Sequence, residues 1–249
     1  MEYIRQTIHS YKLYDIFTIP QSLRDKMVEV IILPIENIAE EESKREIQKG
    51  VKDFYDKTAK DWAETWYSDD TMLPLLKKFI GMFDATPRIL DAGCGAGYES
   101  MRLANLGAEV VGIDISEESL NIARMENPNC RFELMDFKYI GDSLGVFDGI
   151  VSIGSIIHVE NSDLQIVFDN FAGLTKSTGF LFIVFAEGDG YNEKKSIREI
   201  DGEKYNRATY HHLPERIIDV AHKAGFKYLD EWFIDEPFGQ WRNFVFQKS

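Results

Sequence analysis

Ile89-Leu90-Asp91-Ala92-Gly93-Cys94-Gly95-Ala96-Gly97 carries an apolar run into glycines at alternate positions. Arg88 to Asp91 predicts a short strand. The glycines let the backbone turn tightly and leave space for a ligand against the main chain. A helix is expected from Tyr98 to near Gly107, and its first N–H groups lack intrahelical partners. The spacing is G-x-G-x-G. A dinucleotide fingerprint, G-x-G-x-x-G, would need glycine where Tyr98 stands. Asp91 sets an anion where a pyrophosphate would lie, which suits a ligand with a cationic group.

Beyond this turn the pattern alternates. Glu109 to Asp114 predicts a second strand, with Ser116 as N-cap of the following helix and Glu117 and Glu118 in its first turn. Arg131–Met135 and Phe147–Ile153 predict the third and fourth strands. Leu164, Val167, Phe168, Phe171 and Leu174 mark a helix face, and Phe180–Ala186 a strand buried on both sides. Pro214 suits the start of a helix and Gly225 its end. Tyr228–Ile234 and Trp241–Gln247 follow without a helix between them. Strand–helix alternation implies a Rossmann-like α/β fold. Its sheet is mostly parallel, with helices on both faces and an antiparallel last hairpin. Ligands in such sheets sit beyond the carboxyl ends of the strands.

Asp114 ends the second strand about 20 residues after the glycine turn, where a carboxylate can accept hydrogen bonds from ribose hydroxyls. Asp136 ends the third strand and precedes Phe137. That pair suits an adenine amino group and ring face. Each feature alone has a plain reading: a strand–helix connection, a solvated strand end, a cap. Their order at successive strand ends favours nucleoside binding.

Ahead of this core, Val51, Phe54, Tyr55, Ala59, Trp62 and Trp66 lie on one face of a helix predicted over 48–67. Leu73–Phe83 predicts a second helix. Residues 1–50 read as an N-terminal helical extension, with a helix expected over Ser22–Leu33. The remainder, 51–249, reads as one domain: a helical lid (51–83), a cofactor-binding core (88–186), then an acceptor-side region with the closing strands (187–249).

The chain has 249 residues, 28 basic and 42 acidic, for a net charge of −14. That field repels phosphate backbones and argues against nucleic-acid binding. With 44% hydrophobic residues, a wholly disordered chain is excluded. Cys94 and Cys130 cannot build a disulfide framework, and reduced thiols are expected. Neither a secretory signal nor an apolar run long enough for a membrane span is visible. A cytoplasmic protein is the expectation. No spacing suggests a metal site.

The segment from Arg88 to about Phe185 resembles the class I S-adenosylmethionine-dependent methyltransferases. The glycine turn is similar to that family's first motif, Val111-Gly112-Ile113-Asp114-Ile115-Ser116 to its second and Met135-Asp136-Phe137 to its third. Phe147-Asp148-Gly149-Ile150-Val151-Ser152 resembles its fourth strand, and Leu213 to Phe226 the late helix of the small-molecule branch. The first 50 residues match no familiar pattern. The resemblance implies a seven-stranded sheet, bound S-adenosylmethionine and methyl transfer. It places Gly93, Gly95 and Gly97 against the methionine and ribose, with Asp91 near the ammonium end. Asp114 would hold the ribose and Asp136 with Phe137 the adenine. Ile115 and Ser116 would flank them, and Ile153 would lie under the loop over the cofactor.

Methyl transfer from a sulfonium needs mainly alignment and desolvation of the nucleophile. Acceptor-side candidates are Gly154, Ser155 and His158 after the fourth strand; Glu187, Gly188 and Asp189 after the fifth; Arg207, Tyr210 and His211 before the late helix; and Tyr55, Trp62 and Trp66 in the lid. His158 is the candidate base, with pocket shaping or helix capping as the alternative. For Glu187 a hydrogen bond to the lid is the alternative. Arg207 suits an acceptor carboxylate or phosphate, with a surface ion pair as the alternative. His9, His212 and His222 are expected at or near the surface, and Cys94 as a packing residue. The stretch Ser152-Ile153-Gly154-Ser155-Ile156 lacks the Pro-Pro-aromatic run of nucleic-acid amino-methyltransferases, which points to a small-molecule acceptor methylated on oxygen or nitrogen. Two other classes compete. An NAD-dependent oxidoreductase could share the turn and Asp114, but Tyr98, Asp91 and the closing hairpin oppose it. A non-catalytic binding module could keep the fold for interaction alone.

Overall fold

The computed structural model describes residues 4–13, 21–32, 38–140, 142–233 and 240–249. Two compact units are present, Met1–Arg45 and Glu46–Ser249. In the first, β1 (Ile4–His9) pairs antiparallel with β2 (Met27–Ile32), Ile4 opposite Ile32. The expectation of a helix over 22–33 is therefore corrected. Only a single 3-10 turn forms at Gln21–Leu23, and Asp25 follows it with φ 55°. Met27-Val28-Glu29-Val30-Ile31-Ile32 is rich in β-branched residues, which favour a strand once a partner is present. The partner lies 18 residues or more away in sequence, about where local pattern carries no information. Leu33 and residues 14–20 and 34–37 lie outside the described residues, as does Ile234.

A long helix, α1 (Ile38–Trp66), leads into the second unit, followed by α2 (Leu73–Ile80). Next come β3 (Arg88–Ala92), α3 (Tyr98–Asn105), β4 (Glu109–Asp114), α4 (Glu117–Glu126), β5 (Arg131–Leu134), β6 (Phe147–Ile153), α5 (Leu164–Leu174) and β7 (Thr175–Ala186). A short excursion follows: β8 (Gly190–Tyr191), α6 (Glu193–Ser196), β9 (Ile197–Ile200), β10 (Glu203–Asn206) and β11 (Tyr210–His211). The chain closes with α7 (Pro214–Lys223), β12 (Phe226–Glu231) and β13 (Trp241–Lys248).

Seven strands form the main sheet in the order β12-β13-β7-β6-β3-β4-β5. β3 to β7 run parallel, while β13 is antiparallel to both β7 and β12. Side-chain alternation explains why both faces are covered. Leu90, Val111 and Ile150 face a core with Phe168 and Phe171 of α5 and Ile217 of α7. Ile89, Val110 and Val151 face the opposite core, with Leu76 and Phe79 of α2 and Leu103 of α3. From β3 the chain crosses first to β4 and later to β6 on the other side. The carboxyl end of β3 is thus the switch point of the sheet, and the glycine turn stands there.

Candidate functional site

Three positive-φ glycines shape the turn: Gly93 at 82°, Gly95 at 52° and Gly97 at 84°. Their missing β-carbons serve different ends. At Gly93 a Cβ would fall 2.2 Å from Ser155 Cβ, and at Gly97 one would fall 2.9 Å from Ala123 Cβ. Those two admit the protein itself. Gly97 is buried against α4, where the sequence expectation set it against a ligand. At Gly95 the nearest atom is the Tyr98 hydroxyl at 3.7 Å, so a Cβ there would make only ordinary contact and displace no protein atom. Gly93 N and Cys94 N both donate to Ile113 O, at 2.8 and 3.0 Å, and latch the turn to β4. Ser155 Oγ donates to Ala92 O at 2.7 Å and latches it to the loop after β6.

The acidic strand ends gather around this turn. Asp114 is half-buried; its Oδ2 accepts from Gly95 N and its Oδ1 from Ser116 N, each at 2.9 Å. Each oxygen keeps a second lone pair for a hydroxyl. Asp136 Oδ1 accepts from Lys138 N at 2.8 Å, capping a 3-10 turn, while Oδ2 accepts from Gln48 of α1. The Phe137 ring lies 3.6 Å from where a Gly93 Cβ would stand. Ile115 packs with Val51 and Tyr210, and Ile153 packs on the α2-side core. Asp91 is 2% exposed and accepts from Ser100 Oγ at 2.6 Å. It ties the end of β3 to α3, and burial lifts its carboxyl to about 7.

The α1 segment from Glu46 onward lies across these loops. Ser116 Oγ donates to Asp56 Oδ1 at 2.7 Å, and the Tyr67 hydroxyl donates to Ala96 O at 2.7 Å. Arg102, 3% exposed, donates to Trp66 O at 2.8 Å and so caps the carbonyl end of α1. Gln48, Asp56, Tyr67 and Arg102 were not evident as site residues. Their partners are far apart in sequence, and no local spacing signals them.

An aromatic wall runs along α1. Trp62 stacks on Trp66 at 6.0 Å and 7°, and Trp66 on Tyr98 at 6.3 Å. Tyr55 meets the His158 ring edge-on at 5.4 Å. His158 Nδ1 lies 2.7 Å from Ala208 O, and Nε2 lies 2.9 Å from the Tyr55 hydroxyl. A carbonyl only accepts, so Nδ1 carries the proton and Nε2 accepts from Tyr55. Burial holds the imidazole down to about 4, so it is neutral at pH 7. His158 caps no helix.

Other candidates fall elsewhere. Glu187 pairs with Arg242 of β13 at 2.8 Å, so its expected tie to the lid is replaced by one to the last strand. Asp189 pairs with Arg216 at 2.9 Å. His211 lies 3.1 Å from Asn192 Nδ2, and Tyr210 packs against Tyr191 and α1. Arg207 forms no ion pair with a described acidic residue, in place of the surface pair considered above. It lies over Phe54, Tyr55 and Trp62. His212 is also corrected: it is fully buried, with Nε2 3.1 Å from Ile156 O and Nδ1 2.8 Å from the Asn161 side-chain amide. Cys94 is 3% exposed among Leu120, Ala123 and Phe132, and burial pushes its thiol well up, as suits an inert packing residue. Among the described residues no cluster could hold a metal ion, and no helix is long and apolar enough to cross a membrane.

An open cradle at Gly95, a carboxylate with spare lone pairs and an aromatic face beside Gly93 fit a nucleoside with an attached amino-acid arm. Residues 89–179 match the family model described as a methyltransferase domain. The magnesium-protoporphyrin O-methyltransferase of Rhodobacter capsulatus is 30% identical over 151 residues, 53% of this chain and 67% of that one. Among solved structures, the magnesium protoporphyrin IX methyltransferase of Synechocystis PCC 6803 with bound S-adenosylmethionine aligns with a TM-score of 0.65 at 21% identity. It covers 82% of this chain and 97% of its own. The 1,6-didemethyltoxoflavin-N1-methyltransferase of Burkholderia thailandensis also aligns at 0.65, with 16% identity, over 88% and 93%. The chain belongs to the class I S-adenosylmethionine-dependent methyltransferases, and S-adenosylmethionine is its methyl donor.

Proposed function

We propose that this enzyme methylates an oxygen or nitrogen of a small molecule. When bound, the donor supplies a methyl on a sulfonium, open to in-line displacement. In this reading Gly95 receives its methionine and ribose part on the turn that Gly93 shapes, Asp114 the ribose hydroxyls, and Asp136 with Phe137 the adenine. Ile115, Ser116 and Ile153 line the same space, and Asp91 and Gly97 support it from behind. The N-terminal part of the second unit, residues 51–83, acts as lid, and residues 187–249 supply the acceptor side.

One observation carries the acceptor side: the Tyr55–His158–Ala208 chain beside the glycine turn. The Ala208 carbonyl fixes the imidazole in the tautomer whose Nε2 carries the lone pair, which the Tyr55 hydroxyl occupies. An acceptor hydroxyl that takes the Tyr55 position would pass its proton to Nε2. A positioned base contributes roughly 10²–10⁴-fold when its pKa lies near the working pH, and an imidazole held down to about 4 falls toward the lower end. An amine acceptor needs only to arrive neutral. The net charge of −14 and a wall of aromatic rings suit a compact organic acceptor better than a nucleic acid.

Methyl-labelled donor incubated with the enzyme and a cell extract tests this reading. Label is expected in the low-mass fraction after ultrafiltration. Label confined to protein or nucleic acid would refute it.

A further inference from the structure

We propose that the acceptor is an aryl carboxylic acid whose carboxylate is read by Arg207; this rests on the small-molecule reading above. The Arg207 guanidinium carbon lies 5.3 Å from the Phe54 ring centre, 5.8 Å from Tyr55 and 5.7 Å from Trp62. Among the described residues it is the one cation set over these rings. Its Nε is buried and has no hydrogen-bond partner. Ring faces offset part of the cost of removing a cation from water, yet they leave the N–H unsatisfied. A buried donor without a partner asks for an acceptor that arrives with the ligand.

Position adds to chemistry. The next residue, Ala208, is the carbonyl that holds His158, so the cation stands one residue from the anchor of the base. The same wall offers a second orphan. Trp66 Nε1 is also buried without a partner, and Trp66 stacks between Trp62 and Tyr98, next to Gly95. An aromatic body against this wall, with an anion at Arg207, satisfies the guanidinium and matches the ring faces. Among the described residues Arg207 is the one guanidinium over these rings, and a single such group in an acidic protein favours a monoanion over a phosphate dianion, which calls for more donors.

The test uses the full-length protein saturated with S-adenosylhomocysteine and titrated calorimetrically with benzoate, benzamide and phenyl phosphate. Benzoate is expected to bind about tenfold tighter than benzamide. Arg207→Gln is expected to erase that difference, and Arg207→Lys to keep part of it. Both variants should hold S-adenosylhomocysteine within about twofold of wild type. Equal affinity for benzoate and benzamide, or a preference for phenyl phosphate, overturns the inference. Loss of S-adenosylhomocysteine affinity in both variants also overturns it, because the cation would then belong to the cofactor's carboxylate. None of these results moves the label-fractionation experiment, so the two proposals fail separately.

Discussion

Glycine and carboxylate positions around the turn separate what holds the fold from what holds the ligand. Gly93→Ala would force a Cβ to within 2.2 Å of Ser155 Cβ at a φ of 82°, in the middle of the hydrogen bonds that latch β3, β4 and the loop after β6. Overpacking of this kind costs about 1–3 kcal/mol, and the left-handed backbone about 1–2 more. Gly95→Ala meets only ordinary contact at 3.7 Å, so it carries the backbone term alone. Thermal melts and calorimetry should therefore split the pair. Gly93→Ala loses stability first. Gly95→Ala keeps most of it and loses donor affinity, because its methyl occupies the cradle. Full donor affinity in Gly95→Ala would refute the placement of the ligand there.

Asp91 supplies a pH test at the same scale. Burial raises its carboxyl from 3.8 to about 7, so the fold prefers it protonated. The stability this group contributes is present below the unfolded value and is lost as pH rises from about 4 through 7. Asn imitates the protonated acid and still accepts from Ser100 Oγ. Asp91→Asn should gain melting temperature relative to wild type at pH 8 more than at pH 5. A difference that is flat with pH would show that the carboxyl is ionised throughout.

Among the elements, α1 is the one whose role goes beyond its amphipathic pattern. Val51, Phe54, Ala59 and Ala63 are buried on it, as an apolar stripe predicts. Its half-buried Tyr55, Trp62 and Trp66 make the wall of the site, and its polar Gln48 and Asp56 reach the loops after β5 and β4. Gly50 shows how tightly this helix sits. A Cβ there would stand 2.5 Å from the backbone oxygen of Asn206. Helix propensity alone makes Gly→Ala favourable by about 1 kcal/mol. We expect the opposite sign for Gly50→Ala, because α1 must back away from the β9–β10 hairpin, and Arg207 and Ala208 follow directly on that hairpin. A lower melting temperature together with a raised acceptor KM would bear this out. A more stable variant with unchanged KM would show that the contact is slack.

At the scale of the whole molecule, the boundary near Arg45 divides the chain into two sets of contacts. Deleting residues 1–45 is expected to leave a folded protein that binds S-adenosylhomocysteine with wild-type affinity, since the turn, Asp114, Asp136 and their partners all lie beyond the cut. Acceptor turnover is expected to fall. Loss of S-adenosylhomocysteine binding in the truncated protein would make the first unit part of the cofactor site. The sequence and the structure divide along related lines. The parallel core was readable because each of its elements carries its own signal: the alternate glycines, the strand-ending Asp114, the N-cap Ser116 and the terminal pair Pro214 and Gly225. These are local rules, in which a residue's role follows from neighbours within a few positions. The amino-acid order by itself therefore determined the sheet and the turn at its switch point, while the donor came with the family that the turn resembles. Tertiary structure alone decided that 27–32 is a strand, that His212 is interior and that Glu187 answers to Arg242. It also decided that Tyr55, His158 and Arg207 meet on one wall. Each depends on a partner distant in sequence, and burial and pairing energies arise only when the chain brings that partner close.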